Sequence, residues 1–282
     1  MSKIEVRDYQ SLVAMALLED VKSGDITSQA TIPDDSVSRA IIKTKQAGVI
    51  CGVDIALHVF FEIDPTLIVI TAICDGQIVD SGVVIMTVEG KTRSILMAER
   101  TVLNFLSRLS GIATETRTYV DMIKGTIACI CDTRKTIPGW RKLDKYAVAI
   151  GGGTNHRIGL WDAILIKENH INAAGSVSKA LEKAKQFAAR AAFIQIEITD
   201  IQQLEEALPL EPDMVLLDNM SIDTIIKAVE MCKKNNYNIL IEASGNVNIE
   251  NVRGIAMTGV DRISVGAITH SAKNFDFTLL IE

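Results

Sequence analysis

Residues 193–218, FIQIEITDIQQLEEALPLEPDMVLLD, hold two short apolar runs with helix-length sequence between them. FIQIEI and DMVLLD are rich in Ile, Val and Leu, which marks short strands, and IQQLEEALPL is long enough for the helical crossover that parallel strands need. Outward from this unit the same texture starts near residue 125 and continues almost to the end. TIACIC, DAILIK, FIQIEI, DMVLLD, NILIEA and DRISVG alternate with helical stretches such as SVSKALEKAKQFAARA and SIDTIIKAVEMCKKN. That spacing predicts βα units of a parallel barrel, and near-continuous Ile, Val and Leu fits strands covered on both faces.

Nearly every run terminates in a polar residue or a glycine. TIACIC leads into Asp132, Arg134 and Lys135. DAILI ends at Lys167, FIQI at Glu197 and DMVLL at Asp218. NILI runs into Glu242, Ser244 and Gly245, and DRISV ends at Gly266. In a parallel barrel the C-terminal strand ends share one rim, where active sites sit. Loop polarity explains any single end. Six ends carrying both charge signs point to a shared site.

The first hundred residues read differently. An amphipathic helix, YQSLVAMALLEDV, is followed by the short strands RAIIKTK, GVICGV, LIVITAIC and VVIMTVEG, a mixture that predicts a small α+β domain. A long helical pattern, SILMAERTVLNFLSRLSGI, comes next. Leu96, Leu103 and Leu106 lie along one face and Arg100 shares their stripe, with no acid three or four positions away. Arg100 reads either as a side chain snorkelling from the edge of the apolar face or as a guanidinium aimed at an anion or another subunit.

The 282 residues are 48% hydrophobic and 23% charged, a globular composition, and the net charge of −6 argues against a general nucleic-acid binder. The polar start, MSKIEVRDYQ, lacks a signal-peptide core, and the longest apolar runs are too short for a bilayer, so a soluble cytoplasmic protein without membrane contact is expected. Five scattered cysteines predict no disulfides. Cys129 and Cys131 read as two buried thiols on one strand face in preference to a metal pair.

Against the acidic total, DTRKTIPGWRKLDKYAVAIGGGTNHR (132–157) sets six Lys/Arg beside two Asp. The rim thus combines Arg134, Lys135, His156, Arg157 and Lys167 with Glu197 and Asp218. Carboxylate substrates alone have no evident need of the two acids. A diphosphate with Mg²⁺ uses both signs, Lys and Arg for phosphate oxygens and acids for the hydrated metal. Glycines in SGN and SVGAIT, after the last two strands, offer backbone N–H groups to a phosphate. Single residues keep alternatives. Lys167 is an anion binder, a structural ion pair or a Schiff-base nucleophile. His156 faces a ligand or is satisfied between helix and loop. Glu197 and Asp218 pair with Lys167 and Arg134, carry a metal, or both. Asp132 organises its loop, and Glu242 has the least definite role.

Together AERTVLNFLSRLSGIAT, DTRKTIPG, KYAV, GGGTNHRIGLWDAILIKENHI, QIEI, VLLDNM, IEASGN and DRISVGAITHS resemble the nicotinate-nucleotide pyrophosphorylase (carboxylating), or quinolinate phosphoribosyltransferase, family over about residues 98–271. The combination of DTRKT, GGGTNHR and LIKENH carries the specificity. The resemblance implies an N-terminal α/β sandwich over 1–110, joined by a returning tail at 269–282, and a (β/α) barrel of fewer than eight strands over 111–268. It implies transfer of phosphoribosyl from 5-phosphoribosyl-1-diphosphate to quinolinate with loss of CO₂, using Mg²⁺, in a homodimer. Arg134, His156, Arg157 and Lys167, with Arg100 from the partner, would surround quinolinate's carboxylates. Lys135 would meet phosphate, and Ser244, Gly245, Gly266 and His270 would cradle phosphate oxygens. Glu197 and Asp218 would hold ribose hydroxyls and the magnesium's water shell, and Lys135, Lys167, Glu197 and Asp218 would be the catalytic set. Three positions depart from the family pattern: Trp140 replaces a smaller aliphatic residue, Ala149 a basic or polar one, and Glu168 a common Asp. Competing readings are a molybdenum-uptake-associated paralogue of the same fold, a Schiff-base lyase using Lys167, and an anion-sensing module that has no need of Glu197 and Asp218.

Overall fold

A computed structural model describes residues 4–234 and 238–282. The first three residues of MSKIEVRDYQ and the last residue of SIDTIIKAVEMCKKN therefore lie outside the described residues. The chain divides into two compact units: Met1–Arg117 with Ile137–Gly152 and Ser271–Glu282, and Thr118–Thr136 with Gly153–His270.

The first unit is built on a four-stranded sheet in the order Phe277–Ile281, Val37–Thr44, Val84–Lys91, Ile68–Thr71. Its neighbours all pair antiparallel, and the C-terminal strand lies against the first, with Ala40 opposite Ile281 and Thr44 opposite Phe277. Alternation of side chains along Val37–Thr44 buries Ala40, Ile42 and Thr44 on one face. The returning tail crosses the long helix at Gly111, where a Cβ would stand 2.2 Å from the Lys273 carbonyl oxygen, so only glycine permits the approach. GVICGV supplies only the two-residue strand Gly48–Val49, because a helix begins at Val53. Asp75 starts that helix by accepting the Gly52 and Val53 N–H groups at 3.0 and 2.9 Å, and the Tyr146 hydroxyl donates to the same carboxylate at 2.7 Å.

SILMAERTVLNFLSRLSGI forms part of a 31-residue helix, Thr92–Met122. Its buried arc runs through Ile95, Ala98, Val102, Phe105, Leu106, Leu109 and Ile112 at three- and four-residue spacing. The expected stripe therefore needs correction. Leu103 and Leu106 are buried, but Leu96 is half-buried and Arg100 is exposed, because the packed arc is rotated towards Ile95 and Ala98.

Trp140 has a packing explanation. It stacks on Phe105 with ring centroids 5.0 Å apart, and the Arg108 guanidinium lies 5.6 Å over its ring. Arg108 also grips Asp144 through two hydrogen bonds, Nε at 3.0 Å and Nη2 at 2.8 Å. The Asp144 side chain is fully buried. This group ties the helix Arg141–Ile150 to Thr92–Met122.

The second unit carries six parallel strands in the order Cys129–Cys131, Arg262–Ser264, Leu240–Ser244, Met214–Asp218, Ile194–Ile198, Ile164–Ile166. This is a partial β/α barrel, with helices such as Val177–Lys185 and Ile222–Lys234 in the crossovers. The strands that come first and second in sequence occupy opposite ends of the order, so the ladder is open between them. Thr154 adds one bridge at that edge, its N–H donating to the Ile130 carbonyl at 2.7 Å.

Period two divides every strand. The register aligns Glu197 with Leu216, Leu216 with Glu242, Glu242 with Arg262 and Arg262 with Cys129. Ile194, Ile196, Ile198, Val215, Leu217, Ile241, Ala243 and Ile263 take the other face and are buried. The strands are covered on both faces, as expected, but only one of those faces is uniformly aliphatic.

Removing one partner of a buried ion pair leaves the other charge uncompensated. Asp144→Ala is expected to lower stability by about 3–5 kcal/mol, read as a fall in the urea midpoint at unchanged slope.

Candidate active site

The polar face of the second unit's strands opens into a cavity of about 880 Å³. Strands contribute Leu165, Leu216, Asp218, Glu197, Glu242, Ser244 and Ser264, the short helix Ala267–His270 contributes both its end residues, and strand-end loops contribute the remainder. Of the residues singled out in the sequence, Arg134, Lys135, His156, Arg157, Lys167, Glu197, Asp218, Ser244, Gly245, Gly266 and His270 all line this one cavity, as do Asp132 and Glu242. Arg100 is not among its lining residues.

The GGGTNHR segment is held from behind by Asp132. This buried carboxylate accepts the His156 N–H at 2.8 Å and the Asn155 Nδ2 at 2.7 Å. The His156 ring is buried, and both its nitrogens turn to protein groups. Nδ1 accepts the Arg157 N–H at 2.7 Å, and Nε2 lies 2.9 Å from Gln195 Oε1 and 3.4 Å from Glu242 Oε2. The Arg157 guanidinium donates to the Ala163 carbonyl at 3.1 Å. Burial, and next the neighbouring Arg134 charge, lower the Arg157 pKa from its usual value. Two guanidiniums lining one cavity give it a cationic side suited to an anion.

On the other wall Lys167 Nζ stands 2.5 Å from Glu197 Oε2, an ion pair whose lysine is half exposed. Asp218 accepts the Asn219 Nδ2 at 2.9 Å, and Asn246 Nδ2 in turn donates to Asn219 Oδ1 at 2.9 Å. This chain of amides requires a bend at Gly245, whose φ of 92° suits glycine and whose added Cβ would stand 2.3 Å from Asn219 Oδ1. At Gly266 a Cβ would come 3.1 Å from both His270 Nε2 and Lys135 Cδ, so this glycine lets the two side chains share one corner.

Beneath the cavity lies Glu242, fully buried. It accepts Ser264 Oγ on one oxygen, and Arg262 Nε and Gln195 Nε2, each at 3.2 Å, on the other. Burial pushes its pKa up, but hydrogen bonding and charge from His156, then Ser264 and Arg262, outweigh this and hold it below the ordinary 4.5. Cys129 and Cys131 share the strand face of Arg262, with their sulfurs 3.8 Å apart. Cys129 is half-buried, more open than expected, and the hydrogen bond with Cys131, against burial and aided by Thr154 and Arg262, lowers its pKa to about 6. Among the described residues no cluster of three or more His, Cys, Asp or Glu can hold a metal ion by itself.

Gln195, Asn219, Asn246, Arg262 and Ser264 were not singled out from sequence. The signal for three of them was present: Gln195 precedes Glu197 by two residues, and Arg262 and Ser264 precede Gly266 by four and two, which puts each on the same strand face. Asn219 and Asn246 carry no comparable signal, since their left-handed φ values of 52° and 50° belong to the folded loops.

Family models match almost the whole chain: quinolinate phosphoribosyl transferase, N-terminal domain, over residues 25–110, and its C-terminal domain over residues 112–280. The chain is 42% identical over 282 residues to nicotinate-nucleotide pyrophosphorylase [carboxylating] of Mycobacterium leprae, covering 99% of each. It is 41% identical to a probable nicotinate-nucleotide pyrophosphorylase [carboxylating] of Bacillus subtilis, covering 93% of this chain and 89% of the relative. Among solved structures, the nicotinate-nucleotide pyrophosphorylase from Francisella tularensis superposes with a TM-score of 0.94 at 41% identity, covering 99% of this chain and 98% of that one.

Because the folded Glu242 has the lower pKa, its stabilising contribution is present above the ordinary 4.5 and is lost as pH falls through the folded value. Glu242→Gln is therefore expected to flatten the acid limb, with Tm falling less steeply than in wild type below about pH 4.5 in thermal melts across buffers.

Proposed function

The chain belongs to the quinolinate phosphoribosyltransferase family, and from that membership we propose how its cavity serves the reaction. Phosphoribosyl passes from 5-phosphoribosyl-1-diphosphate to quinolinate, diphosphate and CO₂ leave, and nicotinate mononucleotide forms for NAD biosynthesis. The observation that carries this reading is that two guanidiniums, Arg134 and Arg157, and two carboxylates, Glu197 and Asp218, line one cavity. A pyridine dicarboxylate relieves the guanidinium repulsion, and a ribosyl cation forming nearby is stabilised by the carboxylates.

Arg134, Arg157 and Lys167 bind the two carboxylates, with His156 as the wall between. Nε2 of His156 reaches a carboxylate only by leaving Gln195. Lys135, beside Gly266 and His270, meets phosphate oxygens, and Ser244 and Gly245 complete that cradle. When the diphosphate departs, positive charge grows on the ribose ring above Glu197 and Asp218. The pyridine nitrogen attacks C1 of the ribose and becomes a pyridinium. Its positive charge stabilises the electron pair left on C2 as the C2 carboxylate departs as CO₂, and that pair takes up a proton to form the C2–H bond. Positioning and a preorganised field carry the chemistry, with no covalent enzyme intermediate. The Lys167–Glu197 ion pair supports this over a Schiff-base role for Lys167.

Two carboxylates without a third acidic or imidazole ligand suit a hard cation that keeps most of its waters and is shared with phosphate, which fits Mg²⁺ held by Glu197 and Asp218 through water. Bound there, it neutralises the leaving diphosphate. The exposed Arg100, with no role in its own chain's cavity, completes a homodimeric site by reaching the partner's quinolinate. The place of action is the cytoplasm. All five cysteines are free, which suits a reducing compartment, and no helix among the described residues is long and apolar enough to cross a membrane.

Turnover of quinolinate and 5-phosphoribosyl-1-diphosphate to nicotinate mononucleotide is expected to stop when divalent cations are chelated and to return with added Mg²⁺. Undiminished turnover in chelator rejects the metal assignment. Arg100→Ala and Lys167→Ala protomers, each inactive alone, are expected to recover roughly a quarter of wild-type activity after equal mixing, since half the dimers are hybrids and each has one intact site. No recovery in verified heterodimers removes Arg100 from the shared site.

A further inference from the structure

Glu242, Gln195, His156 and Arg157 form a continuous chain of hydrogen bonds across the cavity floor, and each link has only one workable direction. The chain begins at a carboxylate, which accepts and cannot donate. Gln195 therefore turns its Nε2 to Glu242, at 3.2 Å, and its Oε1 to His156, 2.9 Å from Nε2. A flipped amide would set oxygen against carboxylate and N–H against N–H. The His156 Nε2 must then carry the ring hydrogen, and Nδ1 is left to accept the Arg157 N–H at 2.7 Å. Arg262 and Ser264 donate to Glu242 from the next strand and hold it in place as the origin of the sequence. Gln195 and Glu242 are wholly buried, so water does not compete for these bonds.

We infer that Gln195, braced by Glu242, is a positioning residue for the dicarboxylate substrate. It locks His156 in the Nε2–H tautomer and thereby fixes the backbone from which Arg157 reaches the anion. Neither Gln195 nor Glu242 needs to touch the substrate to do this. The inference rests on the reading that quinolinate lies against Arg134 and Arg157, and it deepens that reading by naming what sets the wall. Gln195 acts on the quinolinate side, since its partners are His156 and Glu242. The phosphate corner formed by Lys135, Gly266 and His270 has no link in this chain.

Two measurements test it. In wild-type protein labelled with ¹⁵N-histidine, the His156 ring is expected to show protonated Nε2 and unprotonated Nδ1, and Gln195→Leu is expected to broaden this into a mixture of tautomers. Steady-state kinetics of Gln195→Leu should give a KM for quinolinate raised about tenfold, the loss expected from one buried hydrogen bond. The KM for 5-phosphoribosyl-1-diphosphate should stay within about twofold of wild type. A wild-type spectrum with protonated Nδ1 overturns the inference and needs no variant, so poor folding of Gln195→Leu does not shield it. An equal rise in both KM values, or no rise in either, also overturns it. Failure of wild-type protein to form nicotinate mononucleotide would instead reject the functional reading and leave the tautomer assignment to stand or fall on the spectrum.

Discussion

Charges of both signs gathered around one cavity are the constraint on which the second unit's polar face depends. Arg134 and Arg157 lie within each other's field, and burial weakens the solvent that would otherwise screen them. Buried carboxylates brace the segments around them. Asp132 grips the loop through the His156 N–H and the Asn155 amide, and Glu242 gathers His156, Gln195, Arg262 and Ser264 from the floor. Both carboxylates are fully buried and hydrogen-bonded, so they hold the loop and the floor that line the cavity. The cavity they brace presents Arg134, Lys135, Arg157 and Lys167 beside Glu197 and Asp218.

The sheet makes this economical in residues. In a parallel barrel each strand has one face towards the helices and one towards the interior, and successive residues alternate between them. The helix-facing side is aliphatic and closes the core through Ile196, Val215, Ile241 and Ile263. The interior face carries Gln195 and Glu197, Leu216 and Asp218, Glu242 and Ser244, Arg262 and Ser264. Three strands thus supply a deep residue, Gln195, Leu216 or Glu242, and, two positions on, a shallower one, Glu197, Asp218 or Ser244. The floor residues position and the mouth residues are left for substrate, which separates rigidity from reactivity by a single step of two residues.

The first unit solves a different problem. Its antiparallel sheet is completed by the chain's last strand, and its long helix is locked to the helix Arg141–Ile150 by Arg108, Asp144 and the stacked Trp140. That helix lies between DTRKT and GGGTNHR in sequence, so the same packing that stabilises the first unit anchors the intervening segment of the basic stretch. An unusual aromatic residue after the Pro-Gly turn is thereby explained by its partners, Phe105 and Arg108.

Residue types and spacing alone were enough to identify the βα repeat, the polar strand ends and the family motifs, because periodicity and local chemistry are written residue by residue along the chain. They marked Arg134, Lys135, His156, Arg157, Lys167, Glu197 and Asp218 as members of one rim. They did not reveal which residues lie under it. FIQIEI reads as an aliphatic strand, and only its pairing beside Met214–Asp218 and Leu240–Ser244 brings Gln195 to Glu242 in a buried network. Arg100 likewise matched an apolar stripe by count, yet the packed arc of its helix is set by what Ile95, Ala98 and Val102 meet. Local pattern decides which faces an element has. Which face is buried, and which polar atoms become partners, depends on neighbours distant in sequence, and those exist only once the strands have paired and the helices have packed.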